Sequence, residues 1–172
     1  KYQQSKFLGE EKEINNFDKT VIIRPSVVIG NEDNFTNLFA KLSLSPIIPV
    51  VNTSYKFEPI FVNDVAKAIL KAIETKNNEG KIYELGGGRV ISFGDMIKLI
   101  LKVIGKKRIV ADVPMTLAKI QGSLLSLLPI DPVITKDQCI ILSEKDNVVS
   151  GDHLTLEDLN IKPSDIEKEM EK

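Results

Sequence analysis

The sequence predicts an α/β fold, because short runs of β-branched residues alternate with amphipathic helical segments along most of the chain. Residues 20–24 are largely apolar and β-branched, as expected for a buried strand of a parallel sheet. Around residues 65–73, apolar side chains recur every three or four positions, which is typical of a helix with one apolar face. A length of 172 residues suits a single domain, and 42% hydrophobic residues are enough for a globular core.

Apolar periodicity and helix-breaking residues predict four main helices. They cover about residues 2–15, 34–44, 65–73 and 93–104. In the first helix, Phe7, Leu8 and Ile14 are expected to make the apolar contacts. The third helix is expected to begin at a cap formed by Asn63 or Asp64. Its predicted apolar face consists of Val65, Ala66, Ile69, Leu70 and Ile73.

Three strands are predicted between these helices, at residues 20–24, 81–85 and 108–113. Residues 26–30 and 57–62 are expected to be extended. The prolines at positions 46 and 49 are interpreted as the end of the second helix, because proline cannot continue a helix. Short charged helices are predicted near the end of the chain.

The pair Tyr2 and Lys6 is the most informative feature of the first helix. Residues four apart share one helix face, so a phenol and an ammonium lie close together. A nearby positive charge favours phenolate and lowers the pKa of a tyrosine. The pair is therefore a candidate device for proton transfer in carbonyl or alcohol chemistry, with an ordinary surface helix as the alternative.

The glycine run 86–88 follows a strand and precedes a helix, where a phosphate-binding loop would lie. A dinucleotide fingerprint that begins at Gly86 requires glycine at position 91, which is Ile91. A tight turn before a helix capped by Ser92 is the better interpretation. Asp64 is likewise interpreted as a simple cap.

Composition excludes several other classes of site. A net charge of −1 offers no basic surface for nucleic acid. The single cysteine, Cys139, excludes a disulfide framework and a cysteine-rich zinc site. The single histidine, His153, has no partner at metal-ligand spacing and is interpreted as a loop residue, so no metal is predicted. Residues 115–128, from Met115 to Leu128, carry many leucines and a single charge, Lys119, which fits either a core helix or a helix that docks on a membrane surface or partner.

Four motifs recur in the same order in the extended and atypical short-chain dehydrogenase/reductases, which this chain resembles. They are Y-x-x-S-K-x-x-G-E from Tyr2, R-P-S-x-V-x-G from Arg24, F-V-x-D-V-A from Phe61 and Y-x-L-G-G from Tyr83. Within that superfamily, residues 30–40, 132–138 and 156–163 are similar to the nucleotide-binding accessory subunit of respiratory complex I (NADH:ubiquinone oxidoreductase) and its bacterial relatives. The run Ile29-Gly30-Asn31 differs from the Tyr-Gly-Pro of sugar-nucleotide epimerases.

The resemblance implies the C-terminal part of a Rossmann-like fold with a small mixed α/β substrate subdomain. It implies that residues 1–30 and 57–76 are late Rossmann elements of one incomplete domain. Residues 31–56 and 77–172 would then form the C-terminal substrate or docking subdomain.

The resemblance also implies roles for individual residues. Tyr2 matches the proton-transfer tyrosine, and Lys6 matches the lysine that binds the nicotinamide ribose hydroxyls. Pro25, Ser26 and Val28 match the turn that packs beside the nicotinamide. The cofactor of the full-length parent would be NADP or NAD, with NADPH favoured. The glycine-rich pyrophosphate loop and the catalytic serine of the family lie upstream of these motifs.

The resemblance allows three alternative functions. The first is the C-terminal portion of an NAD(P)H-binding protein associated with complex I, with a role in assembly or stability. The second is an active NAD(P)-dependent reductase, epimerase or dehydratase that uses Tyr2 and Lys6. The third is a structural module that contacts the membrane arm through residues 115–128. The expected location is the bacterial cytoplasm or the mitochondrial matrix side, peripheral to the inner membrane.

Overall fold

The computed structural model describes residues 2–114 and 146–171. Its helices are α1 (Tyr2–Asn16), α2 (Asn34–Leu42), α3 (Val62–Glu74), α4 (Phe93–Val103) and α5 (Ile166–Met170), with a 3₁₀ turn at Glu157–Leu159. Its strands are β1 (Ile22–Pro25), β2 (Val28–Ile29), β3 (Ile47–Val51), β4 (Lys56–Phe57), β5 (Ile60–Phe61), β6 (Ile82–Leu85), β7 (Ile91–Ser92) and β8 (Ile109–Val113).

The described strands pair two by two. Three pairs are parallel, namely β1 with β6, β2 with β5 and β3 with β8, and the pair of β4 with β7 is antiparallel. Each parallel pair is linked by chain that contains at least one helix, as parallel strands require a crossover connection. The predicted α/β class is confirmed.

Two clusters of apolar side chains form the core. The first lies among α2, α4 and β3 and contains the aromatic rings of Phe35, Phe39, Phe57 and Phe93, in which the centroids of contacting rings are 5.3 to 5.8 Å apart. The second lies between the β1–β6 pair, α3 and the 3₁₀ turn, and it includes Tyr83 and Leu85. The second cluster supports the strands whose ends form the candidate site.

The predicted cap of α3 is wrong. The residue before the helix is Phe61, which makes no side-chain capping bond, and Asp64 lies inside the first turn with no exposed surface. Its carboxylate accepts hydrogen bonds from the Ser164 backbone N–H at 2.7 Å and from Lys67 Nζ at 2.9 Å. Asp64 therefore joins α3 to the last segment of the chain instead of capping its own helix.

Most side chains of the predicted apolar faces of α1 and α3 are exposed in the described part of the chain, although Val65 of α3 packs against the second core cluster. Phe7, Leu8 and Ile14 of α1 expose 62%, 53% and 41% of their surface. In α3, Leu70 and Ile73 expose 62% and 76%. The residues that α3 buries are Asp64, Ala68 and Ala72, and Ala68 belongs to the second core cluster. Periodicity identified both helices correctly but not which of their side chains are buried.

Residues 45–49 also differ from the prediction. They were expected only to end α2, yet β3 follows at once and pairs in parallel with β8. Pro49 is exposed within β3, where a missing N–H is tolerated. The predicted helix 115–128 and Cys139 lie outside the described residues. The division into late Rossmann elements and a C-terminal subdomain stays a prediction, and the β1–β6 pair crosses its boundary at residue 77.

The pKa of the Asp64 carboxyl is shifted, and this shift links its contacts to the stability of the fold. Burial alone would raise the pKa of its carboxyl, but hydrogen bonds from Lys67 and Ser164 and the charge of Lys67 together hold that pKa below its ordinary value. A depressed folded-state pKa stabilises the fold above the unfolded-state pKa of roughly 3.9. This stabilisation is lost as the pH falls through the lower folded-state value.

We expect Asp64→Asn to lower the free energy of unfolding by about 1–3 kcal/mol at neutral pH, because a buried charge-assisted hydrogen-bond acceptor is lost. Below about pH 4 the difference from the unmodified chain should shrink, because the carboxyl of the unfolded state is protonated first and that of the folded state only at lower pH. Urea denaturation at several pH values measures both effects.

Asp95→Asn is the matched control. Asp95 lies in the first turn of α4 and also pairs at 2.9 Å with a lysine three residues on, but its side chain is 60% exposed. Its loss should cost at most about 1 kcal/mol, as exposed ion pairs do. Equal costs for the two variants would contradict the cross-linking role of Asp64.

Candidate functional site

The candidate site lies where the carboxyl ends of β1 and β6 meet. In the parallel register, Arg24 lies opposite Glu84 and Pro25 opposite Leu85. The Ser26 N–H continues the ladder by donating to the Leu85 carbonyl at 3.0 Å. Ligands of open α/β sheets bind in the crevice outside the carboxyl ends of strands. This edge therefore has the general position of a binding site.

Arg24 is the centre of a polar cluster at this edge. Its Nε donates to both Glu10 carboxylate oxygens at 3.1 Å, and its Nη2 donates to Glu10 Oε2 at 2.6 Å. Its Nη1 lies 3.7 Å from Glu84 Oε1 and 3.1 Å from His153 Nε2. A guanidinium only donates, so Nε2 of His153 is the acceptor in a hydrogen bond between the two side chains.

The acid–base properties of the cluster follow from these contacts. The hydrogen bonds to Glu10 outweigh burial and, with the charges of Glu10 and Glu84, raise the pKa of the Arg24 guanidinium. Burial would raise the pKa of the Glu84 carboxyl, but hydrogen bonds from Ser150 and the neighbouring His153 and Arg24 hold it below its ordinary value. Arg24 and Glu84 therefore remain a charged pair at neutral pH.

The face of α1 that carries Glu10 also carries the predicted pair. Lys6 lies four residues before Glu10, and Tyr2 lies four residues before Lys6, so the three positions share one side of the helix. A rise of about 1.5 Å per residue places Lys6 roughly 6 Å from Glu10 along the helix axis. The contact of Glu10 with Arg24 thus attaches this side of α1 beside the end of β1. Lys6 itself is exposed.

The other three predicted site residues lie at the end of β1 and in the turn and short strand that follow it. Pro25 is exposed, whereas Ser26 is buried. The Ser26 hydroxyl donates to the Asn147 carbonyl at 2.9 Å and accepts from the Glu58 N–H at 3.3 Å. Val28 lies in β2, opposite Ile60 of β5. The two hydrogen bonds of the Ser26 hydroxyl therefore hold this turn in place.

A cavity of about 190 Å³ adjoins this turn. It is lined by Arg24, Pro25, Ser26, Glu84, Leu85 and residues 147–149. The lining thus combines the charged residues Arg24 and Glu84 with the apolar residues Leu85 and Val149. The cavity is thus large enough for a small polar group next to Pro25 and Ser26.

The glycine turn 86–88 is packed against residues 58 and 59. The Gly88 N–H donates to Glu58 Oε1 at 3.1 Å, and the other oxygen of this carboxylate accepts from the Val149 N–H at 3.1 Å. A Cβ at Gly87 would lie 2.0 Å from the Pro59 carbonyl oxygen. The glycines therefore permit close packing of the backbone. The Glu58 carboxylate already accepts the Gly88 N–H that a phosphate would need.

The polar groups around the turn were only partly visible in the sequence. Glu10 and Arg24 stand within the quoted motifs, but nothing in their spacing showed that they pair. His153 was interpreted as a plain loop residue, yet it contacts Arg24. Among residues 2–114 and 146–171, no group of three or more potential metal ligands gathers in one place. No helix in the described ranges is both long and apolar enough to cross a bilayer.

Comparison with solved structures defines the class of fold. The chain aligns with dTDP-4-dehydrorhamnose reductase from Bacillus anthracis, solved in complex with NADP, with a TM-score of 0.68 and 21% sequence identity. The alignment covers 99% of this chain and 52% of that one. The fold is therefore that of part of a Rossmann-like extended short-chain dehydrogenase/reductase, as the sequence predicted.

Curated relatives are more specific. Over 98% of its length, the chain is 29% identical to NADH dehydrogenase [ubiquinone] 1 alpha subcomplex subunit 9, mitochondrial, of Dictyostelium discoideum. Over 95% of its length, it is 31% identical to the subunit of the same name from Mus musculus. It spans 48% and 44% of these two relatives, less than half of each. No family model matches the chain. The chain is thus homologous to part of this mitochondrial complex I subunit.

The close packing of the glycine turn leads to a prediction. We expect Gly87→Ala to lower the free energy of unfolding by about 1–3 kcal/mol, because the added methyl group meets a backbone carbonyl that cannot move freely. Gly9→Ala is the control, since Gly9 lies inside α1 with nothing within 4 Å of a Cβ. That change should stabilise the chain by up to about 1 kcal/mol through helix propensity.

Denaturant midpoints at constant slope compare the two glycine variants. If Gly87→Ala were as stable as the unmodified chain, the packing account of the glycine turn would be wrong.

Proposed function

We propose that the chain forms the C-terminal part of an NAD(P)H-binding accessory protein of respiratory complex I. The bound nucleotide would serve assembly or stability of the complex rather than turnover. The parent protein is understood as this chain together with whatever precedes it. The single observation that supports the proposal best is the Glu10–Arg24 contact, which joins the helix of Lys6 to the strand that ends at Pro25.

Lys6 and the turn after β1 suit the nicotinamide end of a dinucleotide. An ammonium supplies three donors for ribose hydroxyls, which are good acceptors. Pro25 offers an exposed apolar ring, and Ser26 is held by its hydrogen bonds to Asn147 and Glu58. We assign Lys6, Pro25, Ser26 and Val28 to nucleotide binding, with Tyr2 one helical turn from Lys6 on the same side. When bound, the nucleotide would supply hydride chemistry that a structural role leaves unused.

We propose that the pyrophosphate of the dinucleotide binds to another part of the parent. The glycine turn 86–88 is a poor anion site, because Glu58 accepts from Gly88 N and Val149 N. A second anion there would meet the charge of this carboxylate. In the predicted division of the domain, residues 1–30 and 57–76 carry the nucleotide edge, and the remainder forms the docking part.

Complex I subunits are the proposed partners. The reason is homology to relatives whose names place them in the mitochondrial complex. We propose a matrix-side position, or the cytoplasmic side in a bacterium, peripheral to the membrane. The apolar residues 115–128 are proposed to contact the membrane arm or lipid, because they carry a single charge, Lys119.

An active NAD(P)-dependent enzyme is the second candidate. The observation in its favour is that Tyr2 and Lys6 lie one turn apart within α1. If the parent catalyses steady hydride transfer that Tyr2→Phe abolishes, the enzyme is the better account. The structural proposal predicts that NADPH binds and persists without oxidation in the presence of small carbonyl compounds.

Nucleotide binding by the parent tests the first proposal directly. We expect NADPH to bind, and Lys6→Ala to weaken binding at least about tenfold, because hydrogen bonds to a charged group contribute about 1.5–3 kcal/mol. Lys12→Ala is the control, since Lys12 is an exposed residue further along the same helix. Isothermal titration with NADPH and NADH measures all three proteins.

Two results would count against nucleotide binding at this site. One is a parent that binds neither NADPH nor NADH. The other is equal loss of affinity in the Lys6→Ala and Lys12→Ala variants, which would reflect a general charge effect and not a contact.

A further inference from the structure

We propose that Glu10 and Arg24 are positioning residues for the nucleotide site. Their contact sets the height of α1 along β1, and hence the distance of Lys6 from the turn at Pro25 and Ser26. The inference rests on the proposed function, because it assigns a role within the same site. Neither residue is proposed to touch the nucleotide.

The geometry of the pair suits this role. Nε donates to both oxygens of Glu10 at 3.1 Å, and Nη2 donates to Oε2 at 2.6 Å. The two side chains are only 34% and 25% exposed, which limits competition from water. A planar guanidinium that binds a carboxylate through two nitrogens restricts both orientation and distance. A shift of α1 by one residue, about 1.5 Å, would break these bonds.

Arg24 is itself held from the other side. Its Nη1 faces Glu84 Oε1 at 3.7 Å and His153 Nε2 at 3.1 Å. Glu84 is fixed in turn, because its Oε2 accepts from both the N–H and the hydroxyl of Ser150 at 2.7 Å. The Arg24 guanidinium therefore connects α1 to β6 and to the segment after residue 146. These contacts restrict its rotation.

Apolar packing contributes little to the position of α1 in the described chain. Three large apolar side chains of α1 and one directly after it are 41% to 62% exposed. They are Phe7, Leu8, Ile14 and Phe17. Glu10 lies one turn from Lys6, so a contact at Glu10 acts close to the group that it positions.

The test compares two ligands in the full-length parent. NADPH carries the nicotinamide ribose that Lys6 is proposed to bind, whereas 2′,5′-ADP lacks it. We expect Glu10→Gln to weaken NADPH at least about fivefold and to leave the affinity for 2′,5′-ADP unchanged within twofold. Glu11→Gln, an exposed neighbour on the same helix, is the matched control and should change neither affinity.

A double-mutant cycle ties the effect to the pair. Glu10→Gln together with Arg24→Gln should weaken NADPH no more than the stronger single variant, because residues that act as one contact are not additive. Arg24→Lys, which keeps the charge but loses the two-nitrogen contact, should fall between the parent and Arg24→Gln. It also serves if Arg24→Gln fails to fold.

The outcomes separate the two proposals. Equal weakening of NADPH and 2′,5′-ADP would show a merely structural effect and overturn the positioning role. If the parent binds NADPH and the Glu10→Gln variant has the same affinities as the Glu11→Gln control, the positioning role is also overturned. A parent that binds no NADPH would overturn the proposed function, and this inference with it.

Discussion

The parallel pairing of β1 with β6 is the constraint on which the candidate site depends. It brings the carboxyl ends of two strands that are distant in sequence to one edge, and it sets Arg24 opposite Glu84. The turn at Pro25 and Ser26 continues the same ladder through the Leu85 carbonyl. Without this register, the polar cluster around Arg24 would not form, and α1 would lose its contact through Glu10. A slip of one residue would turn every side chain of the strand to the opposite face of the sheet.

Carboxylates hold the remaining parts of the chain around that edge. Asp64 binds the Ser164 N–H, and Glu58 binds the amides of both Gly88 and Val149. Each of these contacts joins elements far apart in sequence, which local propensity alone would not bring together. Buried acceptors that are fully paired favour one arrangement of loops, because an unpaired carboxylate in the same place would be costly. The site is therefore supported by polar cross-links as much as by apolar packing.

Local pattern predicted the element types well and the contacts poorly. The helix of Tyr2 and Lys6, the strand that ends at Pro25 and the helix opened by Ser92 could all be predicted, because their signals lie within a few residues. The role of Asp64 could not, since its partner is 100 residues away. The predicted apolar face of α3 was only partly right, because Ala68 and Val65 pack against the core whereas the larger Ile69 and Ile73 are exposed. The pairing of Glu10 with Arg24 likewise needed the fold.

Hydrogen exchange of the full-length parent, with and without NADPH, locates the bound nucleotide along the chain. We expect NADPH to slow exchange in the peptides that cover residues 2–10 and 24–29 and to leave α5 (Ile166–Met170) unchanged. If NADPH binds without any slowing in residues 2–10 and 24–29, the nucleotide lies elsewhere and the proposed site is wrong.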